Sequence, residues 1–213
     1  MKTKFLLVVI LTLAIIVAGC GTRSSNNNTH AGMDHNTMDH NTMGHGDMDH
    51  STMKSSPNAA AAAYDLQFLD TMIAHHRGAV DMAGPCGAKA QHAEIKTLCS
   101  NIISSQEKEI TEMKAWRDKW FAGAAPAMNM EMAGMSDSMK GMDMKKLSAL
   151  TGNDFDLEFI KQMIPHHEGA VIMAKEALQK SAKDEVKTLA NAIIKAQEAE
   201  IKQMKDWQTA WSK

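Results

Sequence analysis

From residue 30 to residue 53 the chain reads HAGMDHNTMDHNTMGHGDMDHSTM. Histidine stands at His30, His35, His40, His45 and His50, and methionine at Met33, Met38, Met43, Met48 and Met53. Imidazole nitrogen serves Cu(II), Cu(I) and zinc, whereas thioether sulfur is a soft donor that favours Cu(I). Alternating the two offers ligands to both oxidation states of copper; histidines alone would point to nickel or zinc. The stretch lacks any apolar periodicity, so it is expected to be a disordered binder that wraps an ion without a preformed site. A second segment, 121–154, carries Met128, Met130, Met132, Met135, Met139, Met142 and Met144 among Gly, Ala and Ser. Its length and composition predict a mobile linker whose methionines have nothing apolar to pack against.

What must position any further ligands is an internal repeat. Residues 64–120 and 155–211 align without a gap at an offset of 91, with 27 of 57 pairs identical. Each copy holds two helical patterns. Phe68, Met72, Ile73, His76, Ala79, Val80 and Ala83 recur at three- and four-residue steps, as do Ile95, Leu98, Ile102, Ile103, Ile110, Met113 and Trp120. Gly84-Pro85 breaks the first copy between its helices; the second has neither residue there. Two amphipathic hairpins that bury their stripes against each other make an all-α, ferritin-like four-helix bundle. The expected organisation is a leader over 1–19, a His/Met-rich tail over 20–58, and a first hairpin over 59–120. The Met-rich linker over 121–154 and a second hairpin over 155–213 follow.

On the first helix His76 falls near the middle of the apolar face, one turn after Met72, with His75 and Met82 on one edge. Met163, His166, His167 and Met173 repeat the arrangement. On the second helix Gln106 and Glu109 sit within the apolar stripe, one turn before Met113; Gln197, Glu200 and Met204 are their counterparts. A carboxylate buried in a stripe needs a histidine, a metal or water. The plainer reading is that these methionines fill core gaps and that His76 with Glu109 is a buried ion pair. Antiparallel pairing about residue 88 sets His76 level with residue 100, a turn or more from Gln106. Whether the candidates meet within a hairpin, between hairpins or not at all is open from sequence. Trp116, Trp120, Trp207 and Trp211 read as packing residues at the hairpin ends, and His92, replaced by Lys183 in the second copy, as a surface residue.

The opening MKTKFLLVVILTLAIIVAGC places two lysines before an apolar run too short to span a bilayer, the pattern of a secretory signal. Its VAGC ending resembles a bacterial lipobox, which would make Cys20 the lipidated mature N-terminus and put the protein on the extracytoplasmic side of a membrane. In that oxidising setting Cys86 and Cys99 read as a disulfide; the alternative is two free thiols, one of them a copper ligand. A formal net charge of −2 gives no electrostatic case for nucleic acid.

The segments MIAHHRGAVDMA and QEKEITEMKAW, with MIPHHEGAVIMA and QEAEIKQMKDW in the second copy, resemble the DUF305 family over 64–211. The resemblance implies a ferritin-like bundle of the cell envelope. It further implies a copper-binding role for His75, His76, Met82 and Met113, and for His166, His167, Met173 and Met204. Met72 and Met163 join them as candidate thioethers on the same faces, with Gln106, Glu109, Gln197 and Glu200 as supporting residues. The expected function is a non-enzymatic, lipid-anchored copper binder that sequesters or passes on Cu(I) and Cu(II) and contributes to copper tolerance. Its expected partners are copper ions, the membrane and copper efflux or delivery proteins. The competing readings are a ferritin-like metal oxidase and a metal-responsive partner of an efflux system. No Glu in the chain is followed three residues later by His, the pair that di-iron bundles use.

Overall fold

Apolar residues at helical spacing leave water only when the helices that carry them pack face to face. In the computed structural model, which describes residues 53–212, four long helices do this. α1 (Tyr64–Ala83) leads through the short α2 (Cys86–Lys89) to α3 (Ala93–Trp120). α4 (Met135–Ser138) and α5 (Met144–Ala149) lie between the hairpins, and α6 (Gly152–Lys180) and α7 (Asp184–Trp211) form the second. α1 packs on α3, α6 on α7, and α1 on α6, which joins the duplicated hairpins into one all-α bundle. The leader and nearly all of the tail, Cys20 included, lie outside the described residues.

The two hairpins turn differently. Gly84-Pro85 ends α1, and α2 intervenes before α3; α6 runs unbroken to Lys180, leaving three residues before α7. Both connectors nevertheless set the same register: His76 pairs with Glu109, rather than with the region of residue 100, and His167 with Glu200. The pairing is centred on His92 and Ala93, where α3 begins, and not on residue 88. Cys86 and Cys99 form a disulfide that ties α2 to α3, so they are a crosslink and not ligands. Restraining an unfolded loop of this size contributes about 3 kcal/mol. The variant Cys86→Ser/Cys99→Ser is expected to lose about that much, read as a lower denaturant midpoint at unchanged m. An unchanged midpoint would show that the crosslink does not restrain the unfolded chain.

Each hairpin connector is held by a buried carboxylate from the other hairpin. Asp156 accepts from the backbone N–H of Gln91 (3.1 Å) and His92 (2.8 Å) and from His92 Nδ1 (2.7 Å). Its counterpart Asp65 accepts from Ser181 Oγ and the Ala182 N–H. Ion-strength acceptors on otherwise unpaired connector donors are strong hydrogen bonds, and here they cross between the repeats.

The linker differs from the sequence expectation. None of its seven methionines is exposed: Met132, Met135 and Met142 are buried, and Met128, Met130, Met139 and Met144 half-buried. They do have apolar surroundings, supplied by the hairpins, and α4 packs along α6. The contact is backbone to backbone. A Cβ at Gly134, whose φ is +87°, would lie 2.4 Å from the Gly169 carbonyl, and one at Gly169 would lie 2.4 Å from the Gly134 carbonyl. Elsewhere Asp70 anchors the linker by pairing with Arg117 (2.8 Å) and accepting from the Ala127 N–H (2.8 Å). Gly169→Ala is therefore expected to displace α4 and lower the melting temperature by several degrees; an unchanged melt would mean the linker helix yields without cost.

Candidate metal centre

The apolar interior is divided into two lobes. One contains Phe155, Phe159 and Leu147 with Met82, Met163 and Met204. The other contains Phe68, Leu69 and Val186 with Met72, Met113 and Met173. Along α1 the second lobe takes residues 68–72 and the first takes 79–83, so the histidines at 75 and 76 fall between them; α6 divides about 166 and 167 in the same way except for Val171. Each lobe therefore draws two methionines from one hairpin and one from the other.

Between the lobes lies a polar layer. His75, His76, His166 and His167 are 0% exposed, Gln106 2% and Gln197 3%. His76 Nε2 lies 2.7 Å from Glu109 Oε2, and His167 Nε2 lies 2.8 Å from Glu200 Oε2. A carboxylate only accepts, so Nε2 carries the proton in both rings, and in the neutral tautomer Nδ1 keeps its lone pair. Neither Nδ1 has a hydrogen-bond partner in the protein, nor does Oε1 of Gln106 or Gln197. An imidazole oriented by a carboxylate through one nitrogen, with the other nitrogen left for an ion, is the usual build of a metal-ligating histidine. His75 and His166 meet across the two hairpins, ring centroids 3.7 Å apart and planes tilted by 37°. The four rings thus form a row, His76–His75–His166–His167, with outer spacings of 6.2 and 6.3 Å.

A row is not a convergence. Among the described residues no three of His, Cys, Asp or Glu are grouped to hold a metal ion. Fully buried thioethers flank these residues along the helices: Met72 one turn before His76, Met113 one turn after Glu109, and their counterparts Met163 and Met204. A donor set of lone imidazole nitrogen and thioether sulfur suits a soft ion such as Cu(I) and suits zinc poorly. Solvent reaches the layer through the carboxylates. Glu200, 19% exposed at its side chain, lines a groove of about 630 Å³ between α3 and α7 with Glu94, Leu98 and Trp207.

The chain matches the model of the family described as "Domain of unknown function (DUF305)" over residues 16–117 and again over 65–208. It belongs to the DUF305 family. Among solved structures it is similar to CopM in the Cu(II)-bound form, at 43% identity and TM-score 0.61, covering 70% of this chain and 99% of that one. CopM in the Cu(I)-bound form matches at 41% identity and TM-score 0.59, covering 69% and 96%. A DUF305 fragment from Deinococcus radiodurans matches at 26% identity and TM-score 0.60, covering 74% and 99%. No curated protein matches the chain.

In this DUF305 chain the candidates named from sequence separate into three groups. His75, His76, His166 and His167 come together in one layer, with Gln106, Glu109, Gln197 and Glu200 beside them. Met72, Met82, Met113, Met163, Met173 and Met204 are fully buried, three in each lobe. The tail candidates His30 to His50 and Met33 to Met48 lie outside the described residues; Met53 packs against the second lobe. Two further sets are new. Met132 and Met135 join the second lobe from the linker, and nothing in helical periodicity marks them. His92, read as a surface residue, instead donates to Asp156 and stacks on Trp211 at 3.8 Å. The second copy makes the equivalent contact with a different residue: its counterpart Lys183 lies over Trp120, the counterpart of Trp211.

Proposed function

We propose that this protein is a copper binder of the cell envelope that holds copper as cargo, sequestering or handing on Cu(I) and Cu(II) and so contributing to copper tolerance. The observation that carries it is the unpartnered Nδ1 of His76 and His167, each fixed by a carboxylate and flanked by buried thioethers. Copper- and silver-bound forms of CopM among the structural relatives support the choice of ion. Capture falls to the H-x-x-M tail; tighter holding falls to the bundle. The Cys86–Cys99 disulfide supports an oxidising compartment. Among the described residues no helix is long and apolar enough to cross a membrane. Attachment in this reading is through lipid on Cys20, with efflux or delivery proteins receiving the cargo.

The test is anaerobic titration of the apo-protein with Cu(I) against a chromogenic chelator, with zinc in parallel. Several cuprous equivalents should bind, and in preference to zinc. Zinc preferred over Cu(I) would overturn the reading, as would turnover of Fe(II) or Cu(I) by oxygen above a metal-free control, which would make it an oxidase.

A further inference from the structure

We propose that Met132 and Met135 of the linker are thioether ligands for a soft monovalent ion held in the second lobe, beside Met72, Met113 and Met173. This donor set presupposes the copper-binding reading above and makes the two halves of the bundle unequal. From residue 128 to 144 every large apolar side chain is methionine, with no Leu, Ile, Val or Phe. The hairpins fill the same lobes with Leu, Ile and Phe as well. Burial alone does not call for that choice, since leucine occupies a similar volume and specifies its rotamer better.

Met135 is 0% exposed and Met132 7%, and both belong to one cluster with the three bundle methionines. Their placement is enforced by backbone: the Gly134–Gly169 contact seats α4 on α6 two residues past His167. The adjoining layer contains His76, whose buried Nδ1 has no protein partner. Met53, the last methionine of the tail register, packs on the same lobe. It is held there where Ser55 Oγ accepts from the Met130 N–H (2.9 Å) and the Ser56 N–H donates to the Met128 carbonyl (2.8 Å). Thioethers from tail, linker and bundle are therefore contiguous at this lobe. The other lobe receives Met142 from the linker, still 9% exposed, with Met139 and Met144 only half-buried against it.

The experiment compares the full mature chain with Met132→Leu/Met135→Leu, using Cu(I) under a competing chelator and Ag(I) as a redox-inert probe. One equivalent should weaken about tenfold or more while the others and the apo melting temperature stay put. Unchanged affinity for every equivalent in a folded variant would make both methionines packing residues, and the copper-binding reading would stand without them. Should wild type itself take up no cuprous ion, the broader reading falls too. Spectra of wild type labelled with [methyl-13C]methionine, assigned through the single variants, give a second readout. The Met132 and Met135 methyl signals should shift with the first equivalents of Ag(I), and static signals through saturation would overturn the proposal even if the double variant did not fold.

Discussion

Replacing His76 and His167 together by alanine is expected to weaken the tightest cuprous binding by about a hundredfold or more, above the 10–100-fold that removing a supporting carboxylate costs. Each ring is fixed by a carboxylate through Nε2 and keeps a buried Nδ1 with no hydrogen-bond partner in the protein. The carboxylates supply the graded control: Glu109→Gln with Glu200→Gln keeps the volume but removes the acceptor that holds Nε2–H, so affinity should fall roughly 10–100-fold. Two measurements separate ligation from architecture. Competition titration gives the affinity, and thermal unfolding of the apo-protein gives the cost to the fold. If the histidines are only structural, the apo-protein loses stability and the copper affinity of what still folds is unchanged.

The same layer explains why copper should stabilise the protein. Nδ1 of His76 and His167 and Oε1 of Gln106 and Gln197 are buried without protein partners, and each such group typically costs about 1–3 kcal/mol. A natural core with such atoms in one layer invites a ligand that relieves them. An ion that binds only the native state adds RT ln(1 + [L]/Kd), about 2.7 kcal/mol at a hundredfold excess over Kd. Stripping copper from the loaded protein is therefore expected to lower its melting temperature by several degrees. The double histidine variant should lose most of that difference.

Much of this was legible in the sequence because duplication repeats its own signal. The stripes through Phe68, Met72 and Ala79 and through Ile95, Ile102 and Met113 specify two helices, and the gapless offset specifies them again. Glu109 in an apolar stripe demanded a partner, and His76 answers it. The register was not legible. Pairing about residue 88 places the turn at the Gly84-Pro85 break, whereas in both repeats the chain reverses later, just before α3 and α7 begin. Nor was the linker's burial, because its methionines have no period of their own; they occupy space that exists only after both hairpins have packed. His92 was misplaced for a related reason. Its partners Asp156 and Trp211 lie in the other repeat, and no local pattern announces a contact of that range.

Deleting residues 21–52 is expected to remove roughly two to five cuprous equivalents, one for every one or two copies of H-x-x-M, and to leave the bundle's equivalents bound. The equivalents removed should be the weaker ones. The His76 and His167 rings are already held in place by Glu109 and Glu200, and preorganised ligands bind without an ordering cost. In a chelator series the bundle equivalents should therefore survive at competitor concentrations that empty the tail. The deletion starts outside the Ser55 and Ser56 bonds to the linker, so the apo melting temperature should move by no more than about a degree. A deleted chain that binds as many equivalents as wild type would move the whole of the copper binding into the bundle. A deleted chain that binds none would move it into the tail, leaving the buried histidine row a structural feature.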